Sequence, residues 1–472
     1  MYYVNRVRGF GMRPNNPEPS PYALALFGKE GALSARRSEL RFKLIKNDML
    51  KMGSNSTVIK DDLFGYVVRA ARDKFKVNSV NPIHLNDIFG MDLEIRKSSP
   101  GLPWQPEYKT RGEVMDCPAA QNKIRWFWHR IKADEHLTPD DCKVLYRAHI
   151  QRDEPKIRAV YGYPTAITLM EACFAVPLIN EYKLGTTPIA YKYDMAVGGA
   201  WKLRSRIKQY QHFGCVDFSG FDKTVSAQLI KIAFAILEQN LDLRRYQGRG
   251  VPDSRRLYRA WDYIIKYFVE TPLRLCNGER WKKKAGIPSG SYFTQLIGSI
   301  INWILINYAY LRRYGRFADE CFVFGDDSVI SSHSPFSLEA LSHELGLLGM
   351  IVNVEKSIYT SSVDEVEFLG FKIEGGFPCR NLDRWMEALY HPEWPDQDWD
   401  MFASRALGLF YANCGVHGEF AQICRNIVGM RSFTVRLPRD TERMLRHLGV
   451  QIADCSPILP LPEVLVHRLM CM

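Results

Sequence analysis

A chain of 472 residues with 46% hydrophobic and 24% charged residues is too apolar to be disordered and long enough for two to four domains or one composite one. Its net charge of +11 points to a polyanionic partner, nucleic acid first and an acidic membrane surface second. Eleven singly scattered cysteines, with no CxxC pair or Cys/His ladder, argue against structural zinc and suit a reducing compartment. The first twenty residues lack the apolar core of a secretory signal. The longest apolar stretch, Leu296 to Leu311, is interrupted by Asn302 and Asn307 and is too short and polar to span a bilayer. A soluble intracellular protein is expected.

Residues 1 to about 35, rich in Pro, Asn, Gly and Arg, read as an extended arm or mobile tail. Helical patterns follow at Ser34 to Met52 and Asp61 to Lys76. Lys97 to Trp104 (KSSPGLPW) is a stiff loop in which two prolines flank Gly101. Its backbone at Ser99, Pro100 and Gly101 and the ring of Trp104 suit a nucleic-acid strand, although a loop pinned by a buried Trp fits equally well. Gln121 to Ala133 reads as a helix with Ile124, Phe127, Trp128 and Ile131 on its apolar face. In HIQRDEPKIRAVYG, Lys156 and Arg158 alternate with Ile157 and therefore share one face of a strand, with Arg152 just before it. Paired cations on a strand suit a triphosphate, and equally suit an edge strand protected against aggregation.

Phe213 to Asp222 (FGCVDFSGFD) is a short apolar strand ending at Asp217, a Ser-Gly turn, and Asp222 before an amphipathic helix at Ser226 to Leu243. Arginines from Arg244 to Arg259 and the run Lys282-Lys283-Lys284 add a basic wall. Gly286 to Gln295 (GIPSGSYFTQ) leads into a long helix; Gly290 permits close backbone approach, and Ser289, Ser291 and Thr294 offer hydroxyls to ribose or phosphate. Cys321 to Ser331 (CFVFGDDSVIS) reads as a hairpin whose tip carries Gly325-Asp326-Asp327. Adjacent strand residues face opposite ways, and neighbouring carboxylates repel unless a cation lies between them. A solvated turn is the bland reading, and a divalent-metal hairpin the functional one. Beyond it, a helix starting at Ser334-Pro335, a strand at Met350 to Val354 leading to Lys356, and a hairpin at Val366 to Ile373 are expected, then a mostly helical remainder.

In this order the motifs resemble the RNA-dependent RNA polymerases of double-stranded RNA viruses, most closely the partitivirus type. The resemblance covers roughly residues 95 to 385, through SSPGLPW, KIR, DFSGFDKT, GIPSGSYFTQLIGSIIN, FGDD, NVEKS and EFLGF. It implies an α+β right hand, with a palm built on an RRM-like βαββαβ antiparallel sheet, fingers and a helical thumb. The expected segments are an arm and fingers over 1–211, palm over 212–240, a fingers insertion over 241–285, palm over 286–380, and thumb over 381–472.

By that resemblance Asp217 and Asp326 ligate two Mg²⁺ ions, for which Mn²⁺ substitutes, with Asp327 assisting. Asp222 and Ser289 read the ribose of the incoming NTP, with Gly290 and Thr294 nearby. Arg152, Lys156 and Arg158 hold its triphosphate. Lys356 protonates the departing pyrophosphate, and Ser99, Pro100 and Gly101 guide template entry. Implied partners are single- and double-stranded RNA, NTPs and a viral capsid protein, with no membrane, in the virion interior or host cytoplasm. One departure stands out: positive-strand polymerases often carry Asn nine residues after the serine equivalent to Ser289, where this chain has Gly298, with Asn302 a helical turn further on. The rival enzyme is a reverse transcriptase, disfavoured by Asp222 and Gly325. The rival of another class is a non-catalytic RNA-binding or capsid-associated protein.

Overall fold

The computed structural model describes residues 1–15, 17–30, 35–55, 57–152, 154–248 and 250–470. At its centre lies a four-stranded antiparallel sheet, in the order Ile358–Thr360, His212–Cys215, Asp327–Ser332, Glu320–Phe324. Helix Ala227–Glu238 follows the first of these strands in the chain, and helix Leu338–Leu347 follows the third. The spatial order fourth-first-third-second is therefore the expected βαββαβ sheet. Alternation assigns the faces. Cys321, Val323 and Ile330 join a core with the Thr294–Tyr314 and Leu338–Leu347 helices, while Phe213, Cys215, Phe322 and Val329 join a second core with the C-terminal helices. A sheet covered on both sides needs apolar residues on both, and these strands supply them at alternate positions.

A second sheet of five strands runs Tyr2–Arg6, Glu279–Lys282, Pro272–Arg274, Cys142–Ala148, Ile157–Gly162, all antiparallel except the Cys142–Ala148/Pro272–Arg274 pair. The basic strand is thus an edge strand. Helix Thr165–Tyr182, apolar on every side, is buried on nearly every side, as such a composition requires. Five helices between Leu382 and Met470 form the helical C-terminal portion. Central sheet, N-terminal sheet with its helices, and helical C-terminus together make the right-hand fold.

The N-terminal arm joins these parts. Tyr2–Arg6 extends the five-stranded sheet, Pro21–Phe27 packs on the C-terminal helix Leu382–Tyr390, Arg36–Arg37 pairs with Ile150–Gln151, and helix Phe42–Leu50 lies against the basic strand.

Several expectations shift. The helix expected from Ser34 spans Phe42–Leu50, and Ser34 itself lies outside the described residues. The helix expected at Ser334-Pro335 begins at Leu338, because Ser337 accepts the Ala340 N–H and caps it. Met350 to Val354 forms no strand; Val352 alone bridges Phe218, and the segment's backbone groups bond the neighbouring Asp217-to-Ser219 turn instead. Trp104 is buried against Tyr108, which favours the pinned-loop reading over a stacking platform. The Glu367–Phe368/Phe371–Lys372 hairpin forms as expected. Among the described residues no helix is long and apolar enough to cross a membrane.

Candidate active site

The hairpin pairs Asp327 with Phe324 and turns through Gly325, whose φ of +67° lies in the region where a side chain is strained. Its tip is fastened to the long helix. Asn302, fully buried, directs Nδ2 at the carbonyls of Gly325 (3.0 Å), Asp326 (3.0 Å) and Asp327 (3.2 Å), and Ser299 Oγ accepts the Gly325 N–H at 2.8 Å. Gly298 faces the same tip: a Cβ there would sit 3.4 Å from the Gly325 Cα and 3.8 Å from the Phe221 ring. The departure from Asn at this position thus has a steric reason, since the tip occupies the room a longer side chain would need.

Asp217 lies two residues past the His212–Cys215 strand. That strand pairs Cys215 with Val329, and continuing the register by two residues sets Asp217 opposite Asp327. Its backbone is held on both sides: its N–H donates to Ser357 Oγ (2.9 Å), and its carbonyl accepts the Asn353 N–H (2.8 Å). The same Asn353-to-Ser357 turn presents Lys356. Neighbouring strands are about 4.8 Å apart, so the two acidic positions are adjacent across the sheet end.

These residues open on one cleft of about 870 Å³, lined among others by Asp48, Lys156, Arg158, Asp217, Asp222, Lys223, Gln295, Asp326 and Lys356. The carboxyls show the strain of the arrangement. Asp327 stands beside the cleft and not in its lining; desolvation and then repulsion by Asp326, Asp217 and Glu367 push its pKa up to about 7, although the side chain reaches solvent. Partial desolvation raises Asp217 as well; Lys356 pulls it down, Asp326 adds to the rise, and Lys156 and Arg158 oppose it. Desolvation also raises Asp222, against the pull of Lys223. An oxygen-only donor set with repelling carboxylates is what a hard divalent cation stabilises. Among the described residues no three His, Cys, Asp or Glu side chains close into a finished cage. Mg²⁺ accommodates such an open site because it retains several waters.

Not every expected residue reaches the cleft. Lys156 and Arg158 do, from the edge strand beginning at Ile157. Arg152 does not: it lies on the turn before the strand, where Glu387 at 2.8 Å and Asp383 at 3.8 Å take its guanidinium. Thr294 lines the cleft, but its hydroxyl is 2.6 Å from the Pro288 carbonyl. Ser289 is exposed but does not line this cleft; its Oγ accepts the Tyr161 N–H at 3.4 Å. Gly290 allows close approach not of a ligand but of the chain's own strand, since a Cβ there would meet the Tyr161 carbonyl at 1.7 Å. Ser99, Pro100 and Gly101 lie off the cleft, past the C-terminal end of the basic strand: Pro100 O accepts from Thr165, and a Cβ on Gly101 would strike Tyr163 O at 2.6 Å.

Other contributors escaped the sequence reading. Glu171, fully buried, accepts from Ser291 Oγ (2.8 Å) and Tyr292 N–H (3.0 Å), fastening the Gly286-to-Gln295 loop from behind. Its signal was available: it is the one acid in the interior of an otherwise apolar helix, TAITLMEACFAVPLINEY. Asp48 pairs with Lys223 and accepts the Ala159 N–H (2.8 Å), joining the arm, the basic strand and the Asp222 turn. No spacing in the sequence announces that contact.

The description "viral RNA-dependent RNA polymerase" belongs to a family whose model matches residues 75–405. The RNA-directed RNA polymerase of Cryptosporidium parvum virus 1 is 28% identical over 317 residues, covering 63% of this chain and 56% of that protein. That of Atkinsonella hypoxylon virus is 28% identical over 335 residues, covering 60% of this chain and 50% of that protein. Both are partitivirus-type double-stranded RNA viruses, and the chain spans about half the length of the curated relatives it matches. In fold it resembles the RNA-dependent RNA polymerase of a human picobirnavirus (TM-score 0.64, 17% identity, 87% of this chain and 79% of that one). It also resembles the Sicinivirus 3Dpol RNA-dependent RNA polymerase (TM-score 0.69, 14% identity, 94% of this chain and all of that one). The family model spans more than half of the chain, and the acidic sheet end, the basic strand and the loop-helix all lie within its match: the chain belongs to the viral RNA-dependent RNA polymerase family.

Proposed function

We propose that the chain synthesises RNA on an RNA template, adding NTPs to a growing 3′ end and releasing pyrophosphate. The observation that carries this reading is the shared cleft of Asp217, Asp326, Lys156, Arg158 and Lys356. Asp217 and Asp326, with Asp327 beside them, are the groups that would hold two Mg²⁺ ions, or Mn²⁺ in their place. When bound, such ions supply activation of the attacking hydroxyl and charge neutralisation at the leaving phosphates.

The chain's own groups do the rest. Lys156 and Arg158 form the cationic wall that binds and orients a triphosphate, Arg by paired N–H donors and Lys as a point charge. Lys356, exposed on the Asn353-to-Ser357 turn beside Asp217, is the proton donor for the pyrophosphate oxygen. Asp222, in the first turn of helix Phe221–Thr224, faces the sugar. By the same reading the chain replicates and transcribes a viral double-stranded RNA genome, with a capsid protein as its expected protein partner in the virion interior.

Primed and unprimed synthesis on a single-stranded RNA, with Asp326→Ala beside the parent chain, tests this. The expected result is loss of synthesis with RNA binding retained. Intact activity in Asp326→Ala, or preferential use of dNTPs by the parent, would refute it.

A further inference from the structure

The polymerase reading leaves open which groups recognise the sugar. We propose that the side-chain amide of Gln295, acting with Asp222, distinguishes ribose from deoxyribose in the incoming nucleotide.

Of the nearby hydroxyls, those of Thr294 and Ser299 are committed elsewhere, and that of Ser289 does not line the cleft. Thr294 Oγ1 lies 2.6 Å from the Pro288 carbonyl and 2.9 Å from the Ser291 carbonyl. Ser299 Oγ donates to the Gln295 carbonyl at 2.7 Å and accepts the Gly325 N–H at 2.8 Å. Ser289 Oγ sits against Tyr161 N–H and lines no part of the cleft. Each hydroxyl has one proton, so the bonds that Thr294 and Ser299 make to carbonyls remove them as donors to substrate.

Gln295 differs. It lines the cleft with Asp222, Gly298, Gly325 and Asp326. Its amide lies across the hairpin tip, where a Cβ built on Gly325 would meet Nε2 at 3.1 Å and Oε1 at 3.3 Å. Nε2 is buried and has no hydrogen-bond partner among the described residues. A buried amide donor left unpaired is costly, and such groups commonly mark a place where a ligand completes the bonding. Residue 295 is three positions before 298 on the same helix and so shares its face. With glycine at 298, no side chain from that position comes between the Gln295 amide and Phe221. A 2′-hydroxyl is both donor and acceptor, and an amide with a neighbouring carboxylate offers both complements. A deoxynucleotide would leave these groups unpaired, which is how polar sites reject analogues lacking a hydroxyl.

The test is single-nucleotide incorporation by the full chain on an oligo(U) template, comparing kcat/KM for ATP and dATP. Gln295→Leu removes the hydrogen bonds at similar size, and Gln295→Glu removes the donors. Both are expected to lower the ATP-to-dATP preference roughly ten- to hundredfold, mainly through KM for ATP, with dATP use falling much less. Thr294→Val should reduce both nucleotides together. Equal loss for both sugars in either Gln295 variant, or an unchanged preference in Gln295→Leu, would overturn the assignment. A parent chain that incorporates neither nucleotide overturns the polymerase reading itself, which is a distinct result.

Discussion

Removing the Asn302 amide isolates the attachment of the acidic hairpin to the long helix. One NH₂ group serves three consecutive carbonyls, and its partner atom Oδ1 is buried without a hydrogen bond. The residue's value therefore lies in two protons. At roughly 1 kcal/mol net per hydrogen bond, and about 1–3 kcal/mol for acceptors left dry, Asn302→Asp should cost about 2–4 kcal/mol. The shape is preserved, so packing does not enter the comparison. The carbonyls concerned belong to the tip itself, so the loss falls on the position of Asp326 as much as on stability. A misplacement of about 1 Å at a reacting centre costs on the order of a hundredfold in rate. Denaturant unfolding, with nucleotide incorporation titrated against Mg²⁺, measures both effects. The expected outcome is a lower unfolding midpoint and a higher Mg²⁺ concentration for half-maximal rate. If Asn302→Asp unfolds like the parent and needs no more Mg²⁺, the tip is held by something else and the reasoning fails.

The remaining predictions concern the residues around that tip. Gly298→Asn should cut incorporation more than tenfold by wedging the hairpin off the helix, whereas Gly298→Ala, whose Cβ just fits at 3.4 Å, should retain activity and gain up to about 1 kcal/mol of helix stability; steady-state rates and melting temperatures separate the two. Full burial pushes the Glu171 pKa up to about 8 from 4.5. Between those values the folded chain holds a proton that the unfolded chain has lost, so stability falls as pH rises through that window. Glu171→Gln should flatten the fall, as melting temperatures at pH 5 and pH 8 would register; an unaltered pH slope counts against the assignment.

Much of the site was legible because its chemistry is local. Asp217 ends an apolar run, Asp326 follows a glycine at a hairpin tip, and Lys156 and Arg158 alternate with a buried Ile157; each pattern has one structural outcome. The central sheet followed from the same runs. What escaped depends on pairings between distant segments. Arg152 looks like its basic neighbours in the sequence, and only the approach of Glu387, from far along the chain, removes it from the cleft. The hydroxyl of Thr294 looks available until the fold shows that it meets the Pro288 carbonyl. Trp104 likewise has a ring suited to stacking, and burial decides against it.

The arm formed by the first fifty residues has a mechanical consequence. It begins as a strand of the five-stranded sheet, crosses to the Leu382–Tyr390 helix, and returns to lie along the basic strand at the cleft wall. A molecule laced in this way is held together by its own chain: the five-stranded sheet and the C-terminal helices part only where the arm's contacts with both are undone.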